Sequence, residues 1–256
     1  MLKLFKTEAK LSAQMMRDQY EACRRLHADL DGQRAGGWSV CAPAALFLCA
    51  APPAIMMTLA PGVDLNVLTA RNDALTPQQV DEAGRALAGA LAASWARGRM
   101  HGDLALQNVL CRAADKTIAF IDAGTPAHCR TCYARRADTA ASTLDLAHLL
   151  SDISADVKRT IGRRGVQVRR ENFVGSVLRA ALADAGNGAE KHRRLAEIDA
   201  CARLHLLELL QFSYSPRGIW RVVVKREALR RLDRIFASLA PEFQNEPPAA
   251  VEARRA

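Results

Sequence analysis

The sequence predicts an α+β fold in which short strands come before a mostly helical second part. Two strands, Ala45–Cys49 and Ala54–Leu59, are predicted on either side of a proline turn. Two more apolar runs, separated by four turn-forming residues, predict a β-hairpin over residues 109–121. Apolar residues then recur at helical spacing within 173–182, 195–210 and 222–239. With 256 residues, 50% of them hydrophobic, the chain can bury a sizeable core.

The N-terminal elements are predicted to be a strand over residues 1–6 and a helix over residues 8–28. Four apolar residues of this helix fall on one face: Leu11, Met15, Ala22 and Leu26. A long helix is predicted to begin at Thr76-Pro77-Gln78-Gln79, which combines a capping threonine, a proline at the first position and a capping-box glutamine. Gly98 is expected to end it.

The stretch HGDLALQNVLC, residues 101 to 111, carries the clearest chemical signal. Asp103 and Asn108 belong to a short loop that leads into the first hairpin strand, and Asp122 follows the second strand. Because the two strands are antiparallel, Asn108 and Asp122 are predicted to lie side by side. Such oxygen ligands suit Mg²⁺, which takes its remaining ligands from water and phosphate.

The same residues resemble the catalytic core of the protein-kinase-like phosphotransferases. The matching positions are His101-Gly102-Asp103-Leu104, Asn108 and Ile121-Asp122. With glycine after His101, the motif is most similar to that of the aminoglycoside and choline phosphotransferases, and it also resembles that of the short lipopolysaccharide sugar kinases. This resemblance implies a two-lobed fold with an abbreviated N-terminal lobe and a mostly helical C-terminal lobe. It divides the chain into an N-terminal lobe and hinge (1–62), a catalytic lobe (63–243) and a disordered tail (244–256).

The resemblance also implies a role for each matching residue. Asp103 would orient the accepting hydroxyl and take its proton, while Asn108 and Asp122 would hold Mg²⁺ on ATP. His101 would brace the loop without acting as a catalyst. Asp145, within the predicted helix around Leu144–Leu150, would tie back to the loop backbone.

A lysine and a glutamate that serve ATP binding are implied near the N-terminus. Lys3 is favoured as the lysine that contacts the phosphates, with Lys6 as the alternative. Glu21 is favoured as the glutamate that holds this lysine, with Glu8 as the alternative. Glu21 equally fits a plain surface ion pair with Arg25, four residues later on the helix.

The segment 55–62 resembles the hinge that joins the two lobes in this family. Thr58 and Ala60 would offer a backbone carbonyl and amide to adenine, and Met57 would limit the depth of the adenine pocket. Apolar strand residues such as Met57 are equally explained as core.

Two departures from the family bear on the substrate. No glycine-rich loop precedes Lys3, so we expect either an upstream start or an abbreviated lobe. Only residues 123–144 separate Asp122 from Asp145, which leaves little room for a peptide-docking segment and favours a small molecule or glycan as acceptor. Two alternatives stay open: a protein serine/threonine kinase or other protein-modifying enzyme on this fold, and a pseudokinase-like binding module.

The net charge of +9 is concentrated in basic runs at 158–170 and 221–234. Solvated helix faces explain such runs, and contact with an anionic membrane surface or a phosphorylated glycan is the alternative. No nucleic-acid partner is expected, because few aromatic residues interleave the arginines.

The uncharged stretch 35–63 is long enough to span a membrane, but Pro52-Pro53 would break a helix there. No signal peptide is evident, and the seven cysteines lack the spacing of a disulfide framework. We therefore expect a soluble, cytoplasmic protein, with peripheral membrane contact as the alternative. Cys129 and Cys132, next to His128, are compatible with part of a zinc site, a redox thiol pair or plain loop residues.

Overall fold

A computed structural model describes residues 2–4, 10–71, 74–125, 133–134, 136–160, 162–212 and 219–244. Lys6, Glu8, Cys129, Cys132 and the tail beyond residue 244 lie outside these ranges. The fold is α+β, with two small sheets and a mostly helical second part, and is compatible with a two-lobed organisation.

The strands within the described residues are β1 (Leu2–Leu4), β2 (Arg34–Ala35), β3 (Trp38–Cys41), β4 (Ala45–Ala50), β5 (Pro53–Met57), β6 (Val63–Asp64), β7 (Val109–Arg112) and β8 (Thr117–Phe120). The helices are α1 (Lys10–Leu30), α2 (Leu65–Ala70), α3 (Pro77–Ala96), α4 (Ala141–Ala155), α5 (Val157–Thr160), α6 (Arg164–Ala181), α7 (Gly188–Phe212) and α8 (Ile219–Gln244). Single 3₁₀ turns lie at Leu106–Asn108 and Ala113–Asp115.

The first sheet has the antiparallel order β1-β5-β4, which places Lys3 opposite Ile55. Met57 and Ile55 are buried on one face of this sheet, where they pack with Met16 of α1. The predicted strand pair around the proline turn is confirmed, with its limits shifted by one or two residues. The uncharged stretch 35–63 thus consists largely of strands.

The second sheet has the order β2-β3-β8-β7-β6, in which only the β3–β8 pair is parallel among the described strands. The predicted hairpin is its centre, with Val109 opposite Phe120. Its turn ends at Lys116, whose φ of 49° is left-handed. Strands β2 and β3 precede residue 62, yet they belong to the same sheet as the hairpin β7–β8.

Helix α3 begins as the sequence predicts and leads directly to the HGDL stretch. Thr76 accepts a hydrogen bond from the Gln79 amide, and the Gln79 side chain accepts one from the Thr76 amide. Val80, Leu87 and Leu91 are buried in the main core. Gly98 follows the helix with a φ of 68°, the left-handed conformation typical of a helix end.

The buried face of α1 is rotated by about one residue from the prediction. The buried apolar residues are Met16, Cys23, Leu26 and Leu30, whereas Met15 and Ala22 are only partly buried and the side chain of Leu11 lies outside the described set. The rotation arises because α1 contacts both the first sheet, through Met16, and the segment after β8, through Cys23.

Two arginines of the basic runs are buried, which corrects the expectation of solvated faces at these positions. Arg170 is 4% exposed and donates to Asp156 at 2.7 Å and to Thr69 at 3.2 Å. Arg231 is 3% exposed and donates to Thr160 at 2.6 Å. These side chains connect α2, α6 and α8 to the end of α4. None of the helices in the described ranges is both long and apolar enough to cross a membrane.

Candidate active site

A buried carboxylate holds the backbone of the HGDL loop. Asp145 on α4 is fully buried, and its Oδ2 accepts from the His101 amide and from Trp95 Nε1, both at 2.8 Å. Its Oδ1 accepts from the Gly102 amide at 2.9 Å. The prediction that Asp145 ties to the loop backbone is confirmed, and a buried carboxylate with three donors is fully compensated.

Gly102 allows this loop to touch the segment that follows β8. Its φ is +87°, and a Cβ at this position would lie 3.0 Å from the carbonyl carbon of Gly124 and 3.0 Å from the amide nitrogen of Thr125. The Gly124 amide donates to the His101 carbonyl at 2.7 Å. Only glycine combines this conformation with this close approach.

His101 supports the loop from inside the core, as expected of a bracing residue. The ring is fully buried beside Phe120, with a centroid separation of 6.2 Å. The Asp103 amide donates to its Nδ1 at 3.3 Å. Burial is the main cause that lowers the pKa of His101, so the ring is neutral near pH 7.

Asn108 links the loop to the hairpin. Its side chain is 6% exposed, and Nδ2 donates to the Asp103 carbonyl at 2.8 Å. Its own carbonyl accepts from the Ile121 amide at 2.9 Å, which places Asn108 beside the residue before Asp122. With Nδ2 engaged, Oδ1 is the atom of this amide that suits a cation.

Lys3 lies close to Asp122. The Lys3 Nζ is 2.8 Å from Asp122 Oδ1, and the two side chains are 28% and 31% exposed. Asp122 has a φ of 57°, an uncommon conformation for a residue other than glycine. The structure therefore brings together two of the sequence-predicted site residues, one in β1 and the other just after β8.

Glu21 does not lie on the face of α1 that approaches Asp122. Its carboxylate is 51% exposed, and its Oε1 lies 3.5 Å from Arg24. The face toward Asp122 carries Cys23, whose Sγ lies 3.9 Å from the Ala123 carbonyl. Burial, and next the charge of Asp122, raise the pKa of Cys23 to about 11. The structure thus favours the surface-pair interpretation of Glu21, with Arg24 as the partner in place of Arg25.

The predicted hinge follows β5. Met57 is 1% exposed and packs against α1, as expected of a strand residue and of an apolar pocket wall. The Thr58 amide donates to the Ala44 carbonyl at 3.0 Å, and Thr58 Oγ1 accepts from the Ala44 amide at 2.9 Å. These bonds fix the start of the hinge. Contacts of the Thr58 carbonyl and the Ala60 amide with adenine stay predictions.

A histidine that the sequence reasoning did not single out contacts Asp103. His148 Nε2 lies 3.2 Å from Asp103 Oδ1, and His148 Nδ1 lies 2.7 Å from the Tyr133 hydroxyl. Tyr133 in turn stacks on His205 of α7, at 5.9 Å between ring centroids. Burial alone would raise the pKa of Asp103, but the hydrogen bond and charge of His148 lead the effects that hold it below its ordinary value.

The helical period was the signal that could have found this histidine. Asp145, His148 and Asp152 are spaced i, i+3 and i+7 on α4, so they share the helix face that Asp145 turns toward the loop. Burial, the first cause, together with the charges of Asp156 and Asp103 raises the pKa of Asp152 to about 6.

A polar cavity of about 350 Å³ opens between this helix face and the loop. It is lined by Asn66, Leu106, Gln107, Asp152, Ile153, Asp156 and Arg170. A larger cavity of about 590 Å³ lies on the other side of the loop, bordered by Asp18, Arg25, His101 and Thr125 among others. The loop around Asp103 borders both cavities: Leu106 and Gln107 line the smaller one, and His101 and Gly102 line the larger one.

The oxygen ligands present fit a metal that arrives with a nucleotide. The described part of the chain contains no group of three His, Cys, Asp or Glu side chains that could hold a metal ion by themselves. Mg²⁺ in nucleotide sites needs only one or two protein oxygens, because phosphate and water complete its shell. Asn108 and Asp122 each carry an oxygen of this kind. The chain matches no protein-family model and no curated protein significantly.

Proposed function

We propose that this chain is an ATP- and Mg²⁺-dependent phosphotransferase that transfers the γ-phosphoryl group to a hydroxyl of a small molecule or glycan. The observation that carries the proposal is the convergence of Lys3 on Asp122, next to Asn108 at the entrance to β7 and the loop that carries Asp103. Phosphoryl transfer needs a cationic side chain, metal-binding oxygens and a positioned carboxylate in one place.

The kinase-like fold is part of the same proposal. The sheet β1-β5-β4 with α1 corresponds to an abbreviated N-terminal lobe, and the hairpin with the later helices corresponds to the catalytic lobe. The tether from Asp145 to the amides of His101 and Gly102 supports this correspondence, because the resemblance implies that contact.

Asp103 is the base of the proposed reaction. The acceptor hydroxyl gives its proton to the Asp103 carboxylate, and its oxygen forms the new bond to the γ-phosphorus as the bond to the ADP oxygen breaks. The lowered pKa of Asp103 keeps the carboxylate ionised near pH 7, so it can accept this proton.

Asn108, Asp122 and Lys3 serve the nucleotide. Mg²⁺-ATP, when bound, supplies the phosphoryl group and a positive charge beside it. Asn108 and Asp122 would hold the metal through oxygen atoms, and Lys3 would offer its ammonium group to a phosphate. Lys3 is paired with Asp122, so the two side chains keep each other in place before nucleotide binds.

The polar cavity supports a small, hydroxyl-rich acceptor. Its lining joins two loop residues, Leu106 and Gln107, to carboxylates and an amide that can bind hydroxyl groups. Leu106 and Gln107 follow Asp103 by three and four residues, so the cavity borders the loop that carries the proposed base. A volume of about 350 Å³ suits part of a small molecule or one or two sugar rings better than a peptide segment.

The test compares two aspartates of the same hairpin. Asp122→Asn should lose Mg²⁺-dependent ADP formation by at least about 100-fold, since it removes the charged metal ligand. Asp115→Asn, which removes an exposed partner of Arg112 in the hairpin turn, should retain it. Equal turnover by both variants would refute the metal assignment.

An acceptor screen separates the proposal from its alternatives. Faster ADP formation with sugars, amino alcohols or glycans supports the proposal, whereas stimulation by peptides alone supports a protein kinase. Binding of ATP without turnover under any condition supports a non-catalytic module.

A further inference from the structure

We propose that His148 is a positioning residue for Asp103, and that Tyr133 fixes the ring of His148. This inference rests on the proposed phosphotransferase function. His148 projects from α4 to Asp103 Oδ1 at 3.2 Å, and the Tyr133 hydroxyl lies 2.7 Å from the other ring nitrogen. The chain Tyr133–His148–Asp103 connects the helical part of the fold to the catalytic loop.

The chemistry of the three groups constrains both hydrogen bonds. An ionised carboxylate only accepts, so His148 Nε2 must carry a proton and donate a hydrogen bond to Asp103. In a neutral ring Nδ1 accepts from the Tyr133 hydroxyl, and in a charged ring Nδ1 donates to the hydroxyl oxygen. Nε2 is protonated in both states, which is what the positioning role requires.

Packing leaves the His148 ring little freedom. Its side chain is 3% exposed, and its centroid lies 4.7 Å from His205 and 6.4 Å from Tyr133. Asp152 stands one helical turn further along α4. Because these neighbours prevent the ring from turning, its hydrogen bond keeps the Asp103 carboxylate in one orientation.

Fixing Oδ1 determines the task of the other carboxylate oxygen. With Oδ1 bonded to His148, and with the Asp103 carbonyl and amide engaged by Asn108 and His101, the residue is held at three points. Oδ2 is then the oxygen that meets the acceptor hydroxyl. A displacement of ~1 Å from the correct alignment lowers the rate of such a reaction by about two orders of magnitude.

The test uses water as the acceptor, so that no substrate has to be known. Single-turnover formation of ADP and phosphate from Mg²⁺-ATP is compared for the wild-type protein and for variants at position 148. His148→Leu should slow this step by about 10- to 100-fold, with little change in nucleotide affinity. His148→Gln retains an N–H donor that can reach Asp103, and it should recover to within about fivefold of wild type.

A matched control separates positioning from general loss of packing. Ser151 is buried on the same helix, and its hydroxyl lies within hydrogen-bond distance of the carbonyls of Ala147 and Ala202, at 2.6 and 2.9 Å. Ser151→Ala should lower the melting temperature and leave the rate of the folded protein unchanged. If His148→Leu slows the reaction no more than Ser151→Ala does, positioning by His148 is refuted.

Two further measurements keep this inference distinct from the function on which it rests. Asp103→Asn at the wild-type rate would overturn the proposed role of Asp103, whatever happens at His148. Nitrogen-15 NMR of the imidazole needs no turnover: a His148 ring protonated at Nε2 is expected, and a ring protonated at Nδ1 alone would overturn the positioning role, because it could not donate to Asp103.

Discussion

The ammonium nitrogen of Lys3 lies 2.8 Å from Oδ1 of Asp122, so strand β1 meets the end of the β7–β8 hairpin. Both side chains are partly exposed, and the pair adds little to stability by itself. We expect Lys3→Met to weaken Mg²⁺-ATP binding by at least about tenfold, because a phosphate loses a cationic partner. Calorimetric titration with Mg²⁺-ATP measures the effect.

Lys116 provides the control for this prediction. Its Nζ lies 2.9 Å from Glu82, in a pair of similar length that connects the hairpin turn to α3. Lys116→Met should leave the affinity unchanged, and the two variants should unfold at similar denaturant concentrations. A similar loss of affinity in both would mean that net charge, rather than the position of Lys3, governs binding.

Asp103→Asn should separate chemistry from binding. The amide keeps the size of the side chain but cannot take a proton, so transfer should fall by roughly two to four orders of magnitude. Nucleotide affinity should persist, because Asn108, Asp122 and Lys3 are unchanged. Single-turnover transfer measured beside nucleotide affinity checks both statements, and a parallel loss of affinity would contradict them.

Local signals predicted the parts of the fold that local interactions determine. The cap at Thr76 and the hairpin follow from residues within a few positions of each other. The resemblance added the contact of Asp145 with the loop, which joins segments distant in sequence.

The misassigned features depend on which surfaces meet in three dimensions. The face of α1 shifted because the helix packs on two separate partners, and this left Glu21 beside Arg24. The contact of His148 with Asp103 requires knowing how α4 lies against the loop. Likewise, Arg170 is buried because Asp156 and Thr69 meet it from other elements, which a count of charges along the chain cannot reveal.

Removal of the Asp145 carboxylate should destabilise the protein strongly. Asp145→Ala would leave the amides of His101 and Gly102 and the indole N–H of Trp95 without their buried acceptor. The expected cost in free energy of unfolding is on the order of 3 to 5 kcal/mol. Urea denaturation measures it, with the exposed Asp233→Ala as a control that should change little. A loss no greater than that of the control would contradict the tether.

The last prediction concerns the pH dependence of stability that Asp152 creates. Its pKa is raised to about 6 by burial and by neighbouring carboxylates, compared with an ordinary value of 3.8. Between these values the folded state binds more protons than the unfolded state, so this contribution to stability is complete below pH 4 and is lost as the pH rises through 6. Asp152→Asn removes that dependence, and should gain stability relative to wild type toward pH 8, by at most about 3 kcal/mol.

Asp115→Asn is the matched control, because the pKa of Asp115 is lowered whereas that of Asp152 is raised. The hydrogen bond from Arg112 lowers the pKa of Asp115, so its carboxylate stabilises the folded state above its ordinary pKa and this contribution fades as the pH falls. Relative to wild type, Asp115→Asn should therefore lose stability as the pH rises to about 4 and stay constant above it, whereas Asp152→Asn gains stability between about pH 4 and pH 6. Urea denaturation of the three proteins at pH 2.5, 4, 6 and 8 provides both differences. If the difference in free energy of unfolding between Asp152→Asn and wild type is constant from pH 4 to pH 8, Asp152 titrates normally. Its carboxylate then does not experience the buried, negatively charged surroundings that border the proposed acceptor cavity.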